Sequence, residues 1–394
     1  MVNNCYTDVI WYSYTFFDYK SITTKGEKMK KVTLGIVSTI ILGLGFTGCT
    51  DDKAKSEVQV AEKKTYNIKL AMTWPSNFPV FGDSVINFKK MAEEMSDGRL
   101  QIRIDSKNKH KSPFGIFDMV KSGQYQMGHS ASYYWKGKVP NTLYFTTMPF
   151  GMTASEQFAW FYYDDGMKLM DKVYAPHNLY SFPGGNTGNQ MGGWFQKEIN
   201  SVADLKGLKM RIPGFAGEVI SKLGVNVTNI APGELYTALD RGTIDALEWV
   251  GPSLDLRMGF HKVAPYYYTG WHEPATELQF LINRKFMDKL PADLQEIIKV
   301  AMKTASYDMY TQSNHESGKN WATMKKEFPN IKVKTFPESV MKAVRQANDD
   351  LLVEKAANDP LAKEILDSQA KYMKQIRPWT ILSDYSYLKS LENK

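Results

Sequence analysis

Arg211, Glu248 and Glu273 sit where an ionised side chain is costly to leave alone. Arg211 interrupts the apolar run of residues 209–212, Lys-Met-Arg-Ile. A guanidinium keeps its charge in any surroundings, so it needs a partner there. That partner is either a structural carboxylate or the carboxylate of a ligand, which the fork of Arg grips through two bonds. Glu248 lies within Ala-Leu-Glu-Trp-Val, residues 246–250, where an unpaired carboxylate is equally expensive. Its counter-charge must be Arg211, a cation, or both. Asp245, by contrast, is expected near solvent at the start of the same strand. Glu273 follows Gly270-Trp271-His272 in a loop after the run Tyr266–Tyr268. A forked cation beside carboxylates suggests an anionic ligand, with or without a metal. Two carboxylates are also what a glycosidase uses, and their separation along the chain does not test that.

Other residues offer less. Tyr133-Tyr134-Trp135 follows a strand and supplies an apolar wall with phenolic donors; adjacency alone does not say which Tyr faces inward. His129 with Ser130 and Ser132 could suggest a nucleophile, but neighbours on a strand end point in divergent directions. Trp74 ends the first strand, where it either lines a cleft or packs beneath a loop. Residues 184–188, Gly-Gly-Asn-Thr-Gly, lack the Lys-Ser/Thr of a phosphate loop.

The elements that must position these residues alternate between strand and helix. Residues 209–249 read as strand, helix, strand, helix, strand, with Pro213-Gly214, Gly224, Pro232 and Gly242 as punctuation. Such alternation means parallel strands with crossover helices, whose ligands sit at the carboxyl ends of the strands. Arg211, Glu248 and Trp249 fall there. A second unit of the same kind occupies residues 66–129, with strands at 66–73, 100–104 and 126–129 and helices at 83–95 and 114–120. Residues 153–174 read as one helix, and 278–284 as a strand returning to the first unit. Residues 291–327 then form a very long helix without internal Pro, followed by a strand at 332–336 and helices at 337–356 and 360–374. The expectation is an α/β protein of two lobes, with a hinge and a long lobe-spanning helix. Residues 66–185 form mainly lobe I, 186–277 mainly lobe II, and 278–394 the return strand, the spanning helix and the C-terminal helices.

Several blocks, MRIPGFAGEV, APGELYTALDRGTIDALEWVGP, YYYTGWHEPAT and Gln190-Met191-Gly192-Gly193-Trp194-Phe195, resemble the extracytoplasmic solute-receptor subunits of TRAP transporters. The resemblance runs from about residue 66 to the C-terminus and is strongest to the subgroup that binds 2-oxo acids or lactate with a cation. It implies a periplasmic-binding-protein-like fold that closes on a small organic acid and delivers it to membrane permease subunits. Arg211 would clasp the acid's carboxylate, with Gln190, Trp249, Tyr133 or Tyr134 and Trp74 around it. Gln190, Glu248, Glu273 and the Trp249 carbonyl would hold the cation. An all-oxygen set suits Na⁺ or Ca²⁺ rather than zinc or copper. The C-terminal helices, including Arg377-Pro378-Trp379, match a subgroup that forms domain-swapped dimers, which implies a homodimer. A periplasmic enzyme acting on a small carboxylate, or a ligand-sensing receptor, is the alternative.

The chain of 394 residues is 43% hydrophobic and 23% charged, ordinary globular composition with room for two domains. Its net charge is +7; residues 1–49 hold five Lys and three acids, so +5 lies beyond them. The charges are interspersed apart from residues 107–111, which argues against nucleic acid as a partner. Residues 29–49 open Met-Lys-Lys, continue with an apolar run and end Thr-Gly-Cys, a lipoprotein signal with Cys49 as the lipidated residue. Residues 1–28 are expected to be a mis-assigned leader, because Lys25-Gly26-Glu27-Lys28 can be encoded as a ribosome-binding sequence. Residues 50–65 read as a solvated tether. With Cys5 and Cys49 outside it, the mature domain has no Cys for a disulfide or a Cys-ligated metal. The protein is expected in the periplasm, held to a membrane by its N-terminal lipid only.

Overall fold

Short apolar runs punctuated by Gly, Pro and Asn build two sheets in the computed structural model, which describes residues 63–392. The strands are β1 (Tyr66–Met72), β2 (Leu100–Asp105), β3 (Met127–Ser130), β4 (Leu179–Asn186), β5 (Gly193–Phe195), β6 (Lys209–Arg211), β7 (Asn226–Thr228), β8 (Ala246–Leu247), β9 (Tyr266–Tyr268), β10 (Glu277–Asn283) and β11 (Lys332–Lys334). The first sheet has the order β2-β1-β3-β10-β4, and the second β11-β9-β5-β8-β6-β7. β1 runs parallel to β2 and β3, whereas β10 is antiparallel to both its neighbours. β10 is buried at every position, its polar Glu277, Gln279 and Asn283 included, as a central strand covered on both faces requires. In the second sheet β6 is parallel to β7 and β8, while β5 is antiparallel to β8 and β9. These are the two α/β lobes expected.

The chain crosses between lobes after β4 and again before β10. The helix Ala292–Glu327 then runs along both. It buries Leu294, Ile298, Ala301, Met302, Ala305 and Met309, a stripe at helical spacing. Each large apolar side chain in that stripe contributes roughly 1.5–3 kcal/mol by burial. Further along, the Asn320 amide donates to the Pro252 carbonyl of lobe II at 2.9 Å.

The structure corrects some readings. Residues 153–174 form two helices, Ala154–Tyr163 and Gly166–Tyr174, because Asp164 is extended and breaks the ladder. Apolar periodicity continues across that break, which hid it. Gly184 and Gly185 lie in β4, a strand that was not expected, with Gly185 at φ +147° against Met309. The helix Pro360–Thr380 carries on through Pro378 into a π turn at Ile381–Tyr385, beyond the expected end at residue 374. Arg377 ties this helix to lobe I through a two-pronged bond to Glu156, 2.8 Å on each side. The leader (1–28), the signal segment with Cys49 (29–49) and all of the tether before residue 63 lie outside the described residues.

Candidate ligand and cation site

Pairing of β6 with β8 sets Arg211 level with Leu247, so Glu248 emerges beside Arg211 at the carboxyl ends of two parallel strands. The ladder continues with Glu248 N–H donating to the Arg211 carbonyl at 3.1 Å. Both side chains are 1% exposed and form an ion pair. Arg211 Nη1 donates to the Glu248 carboxylate and, at 2.8 Å, to the Glu248 carbonyl. Nε donates to the Ile230 carbonyl at 3.4 Å, while the other terminal nitrogen, Nη2, is buried without a partner. Thus the structural carboxylate raised for Arg211 is Glu248, which takes one half of the fork, and the other half is left without a partner.

Glu273 and Gln190 arrive on the two crossover segments. Gln190 N–H donates to the Glu273 carbonyl at 2.9 Å, which holds the segments side by side. Gly270 permits this approach, since a Cβ there would stand 1.8 Å from the Gln190 carbonyl oxygen. Gly193 does the same for β5, at φ +112° against the Leu247 carbonyl. Glu273 Oε1 and Gln190 Oε1 are both buried with no hydrogen-bond partner, as is Trp249 Nε1. Buried polar atoms are normally satisfied, so these atoms, together with Arg211 Nη2 and His272 Nδ1, point to missing partners. A cation would meet the two oxygens and an anion the two N–H groups. The free oxygens of Gln190 and Glu273, with the Glu248 carboxylate close to Glu273, are of the kind a hard cation takes.

Electrostatics agree. Burial pushes the Glu248 carboxyl up to about 7, with Arg211 pulling the other way. Glu273 is also raised to about 7, by burial and then by the charge of Glu248. Burial works to lower the Arg211 pKa, but Glu248 and the nearby phenols and Glu273 leave it raised. His272, which sequence reasoning missed, completes the cluster: its Nε2 lies 3.2 Å from Glu248 Oε2. Burial lowers its pKa, so the neutral ring donates from Nε2 and orients the carboxylate. Only its place beside Glu273 hinted at this role. Carboxylate oxygens of Glu248 and Glu273 and a nitrogen of His272 lie within 4.8 Å of one another.

Lobe I closes the site. Tyr133 and Tyr134 meet edge to face at 4.9 Å. Burial and the charge of Glu273 push the Tyr133 phenol well up, and burial, opposed by Arg211, raises Tyr134 to about 12. Both phenols therefore stay protonated and can donate. Next to them Lys136 reaches across to lobe II, bonding the Gly214 carbonyl at 2.8 Å and Glu218 at 2.6 Å. Phe78 and Phe81 pack on Trp249 at 6.1 and 5.9 Å. Trp74 has a different place from the one expected of a substrate-binding residue. Its indole N–H is bonded to His129 at 2.9 Å and its ring packs on Phe81 at 4.6 Å, so it supports the wall from behind. His129 in turn is held by Trp74 and the Gly184 carbonyl, with burial lowering its pKa to about 4.

A family model described as bacterial extracellular solute-binding protein, family 7 (DctP), matches residues 70–359. The chain belongs to this family. It is 40% identical over 324 residues to a monocarboxylate 2-oxoacid-binding periplasmic protein of Nostoc sp., a match covering 82% of this chain and 88% of that one. Two solved TRAP periplasmic solute-binding proteins share its fold at a TM-score of 0.82 each. One, from Pseudoalteromonas atlantica T6c with bound sodium and pyruvate, is 67% identical and matches over 83% of this chain and 99% of its own. The other, from Colwellia psychrerythraea with bound calcium and pyruvate, is 69% identical and matches over 83% of this chain and 100% of its own. The DctP family consists of solute-binding proteins, which agrees with a site built from bonds to be completed rather than from a nucleophile and its base. Among the described residues no helix is long and apolar enough to cross a membrane.

Proposed function

We propose that this DctP-family protein captures a 2-oxo monocarboxylate such as pyruvate, or its 2-hydroxy counterpart lactate, together with Na⁺ or Ca²⁺, and hands it to the membrane subunits of a TRAP transporter. The observation that carries this reading is that Arg211 Nη2, Trp249 Nε1, Gln190 Oε1 and Glu273 Oε1 are all buried without a hydrogen-bond partner. Two donors suit the carboxylate and adjacent oxygen of such an acid, and two oxygens suit the cation that would bridge it to Glu248. The ligands held by the Pseudoalteromonas and Colwellia proteins support the same pairing. The protein binds without transforming its ligand. Native mass spectrometry of protein purified without added ligand is expected to show the acid and cation bound together, one of each per chain. Recovery of an altered acid after hours of incubation would instead establish an enzyme.

The protein acts in the periplasm, anchored by lipid on Cys49. Cys49→Ser is expected to abolish labelling by radioactive palmitate and to release a soluble periplasmic species; continued labelling would remove the anchor. A second copy of the chain is its partner through the C-terminal helix, where Trp379, Leu382, Tyr385 and Leu388 are each more than half exposed.

A further inference from the structure

Gln190 and Glu273 each turn one oxygen toward the cation place while the other polar atom of the same group is tied down, and in both cases a threonine holds it. The Thr276 hydroxyl donates to Glu273 Oε2 at 2.6 Å. Having one proton, that hydroxyl fixes which carboxylate oxygen is occupied and leaves Oε1 free. The Thr187 hydroxyl gives its proton to the Gly188 carbonyl at 3.0 Å. It therefore meets the Gln190 amide only as an acceptor, and takes Nε2 at 3.1 Å. The amide is thus turned with nitrogen toward Thr187 and oxygen toward the site. Thr187 and Thr276 are 5% and 1% exposed, so water does not compete for these bonds.

The two threonines also hold each other. Thr187 N–H donates to the Thr276 carbonyl at 3.1 Å, joining the two crossover segments one step from the Gln190–Glu273 bond. From the lobe-spanning helix, the Ser313 hydroxyl donates to the Thr187 carbonyl at 2.9 Å. We infer that Thr187 and Thr276 are positioning residues for the cation: they aim the oxygens of Gln190 and Glu273 and make cation affinity depend on the pairing of the two segments that join the lobes. The inference rests on the cation reading given above. Groups that orient metal ligands commonly change metal affinity by about 10–100-fold when removed.

Thr→Val keeps shape and volume while deleting the hydroxyl, and Thr→Ser keeps the hydroxyl. The test is calcium titration by calorimetry in choline buffer, without acid, on chelator-stripped wild type, Thr276→Val, Thr276→Ser, Thr187→Val and Thr187→Ser, with circular dichroism to check folding. Each Val variant is expected to lose about ten- to a hundredfold in calcium affinity, and each Ser variant to keep the wild-type value. Pyruvate affinity of the Val variants should recover as calcium is raised. Wild-type calcium affinity in the folded Val variants would overturn the inference. So would a Ser variant as weak as its Val counterpart, or a pyruvate defect that calcium does not relieve, since either marks a merely structural role. If one Val variant fails to fold, the other threonine carries the same comparison. A wild type that binds no calcium and no sodium would overturn the cation reading itself, a distinct result.

Discussion

Thorough removal of Na⁺ and Ca²⁺ is expected to weaken pyruvate binding at least tenfold, and Glu248→Gln is expected to do the same. Carboxylate oxygens of Glu248 and Glu273 lie within 4.8 Å of each other. At an effective dielectric of about 20, two unit charges at that distance repel by about 3 kcal/mol. A third carboxylate, from the acid, adds repulsion of the same order, and the single guanidinium of Arg211 is already half committed to Glu248. Burial raises the pKa of both glutamates, and for Glu273 the charge of Glu248 adds to it. A cation among the oxygens turns the repulsion into a bridge, so acid and cation bind with positive coupling. Titrations in choline buffer with chelator, followed by restoration of either ion, measure the loss. In Glu248→Gln the acid should bind weakly and lose its response to the ion. Equal affinity in every buffer would mean that Arg211 alone supplies the counter-charge of Glu248.

Arg211→Lys is expected to weaken acid binding by about 1–3 kcal/mol, the range for a charge-assisted hydrogen bond. The fork serves two masters here: Nη1 bonds the Glu248 carboxylate and carbonyl, while Nη2 is free for the ligand. An ammonium is a single point, so it satisfies one side at the expense of the other. Arg211→Met should cost more, because it leaves Glu248 buried without its partner as well as deleting the clasp. Calorimetry on folded variants measures both. Unchanged affinity in Arg211→Lys would remove Arg211 from the ligand.

Much of this arrangement is written in local sequence. The strand-helix alternation of residues 209–249 placed Arg211 and Glu248 at neighbouring strand ends, since parallel register follows from crossover helices. A buried ion in an apolar run was the second signal, because its cost is independent of the fold. What could not be read is whatever depends on contact between distant segments. Gln190 has no distinguishing spacing and was singled out through the resemblance of its block. His272, Thr187 and Thr276 acquire roles only when two crossover segments far apart in sequence lie side by side. Trp74 shows the converse: a Trp at a strand end faces a ligand or a neighbour, and His129, distant in sequence, decides for the neighbour. β4 was hidden by Pro183, Gly184 and Gly185, residues that usually punctuate. There they let the strand lie against the lobe-spanning helix.

The central claim, that acid and cation occupy one site as a coupled pair, is tested most directly by reciprocal titration. Pyruvate affinity is measured by calorimetry at stepped calcium concentrations, and calcium affinity at stepped pyruvate concentrations, on chelator-stripped protein in choline buffer. Linkage requires that each ligand raise the affinity of the other by the same factor, and the geometry around Arg211, Glu248 and Glu273 predicts a factor of roughly ten or more. A pyruvate affinity that stays constant from calcium-free to calcium-saturated protein would contradict it.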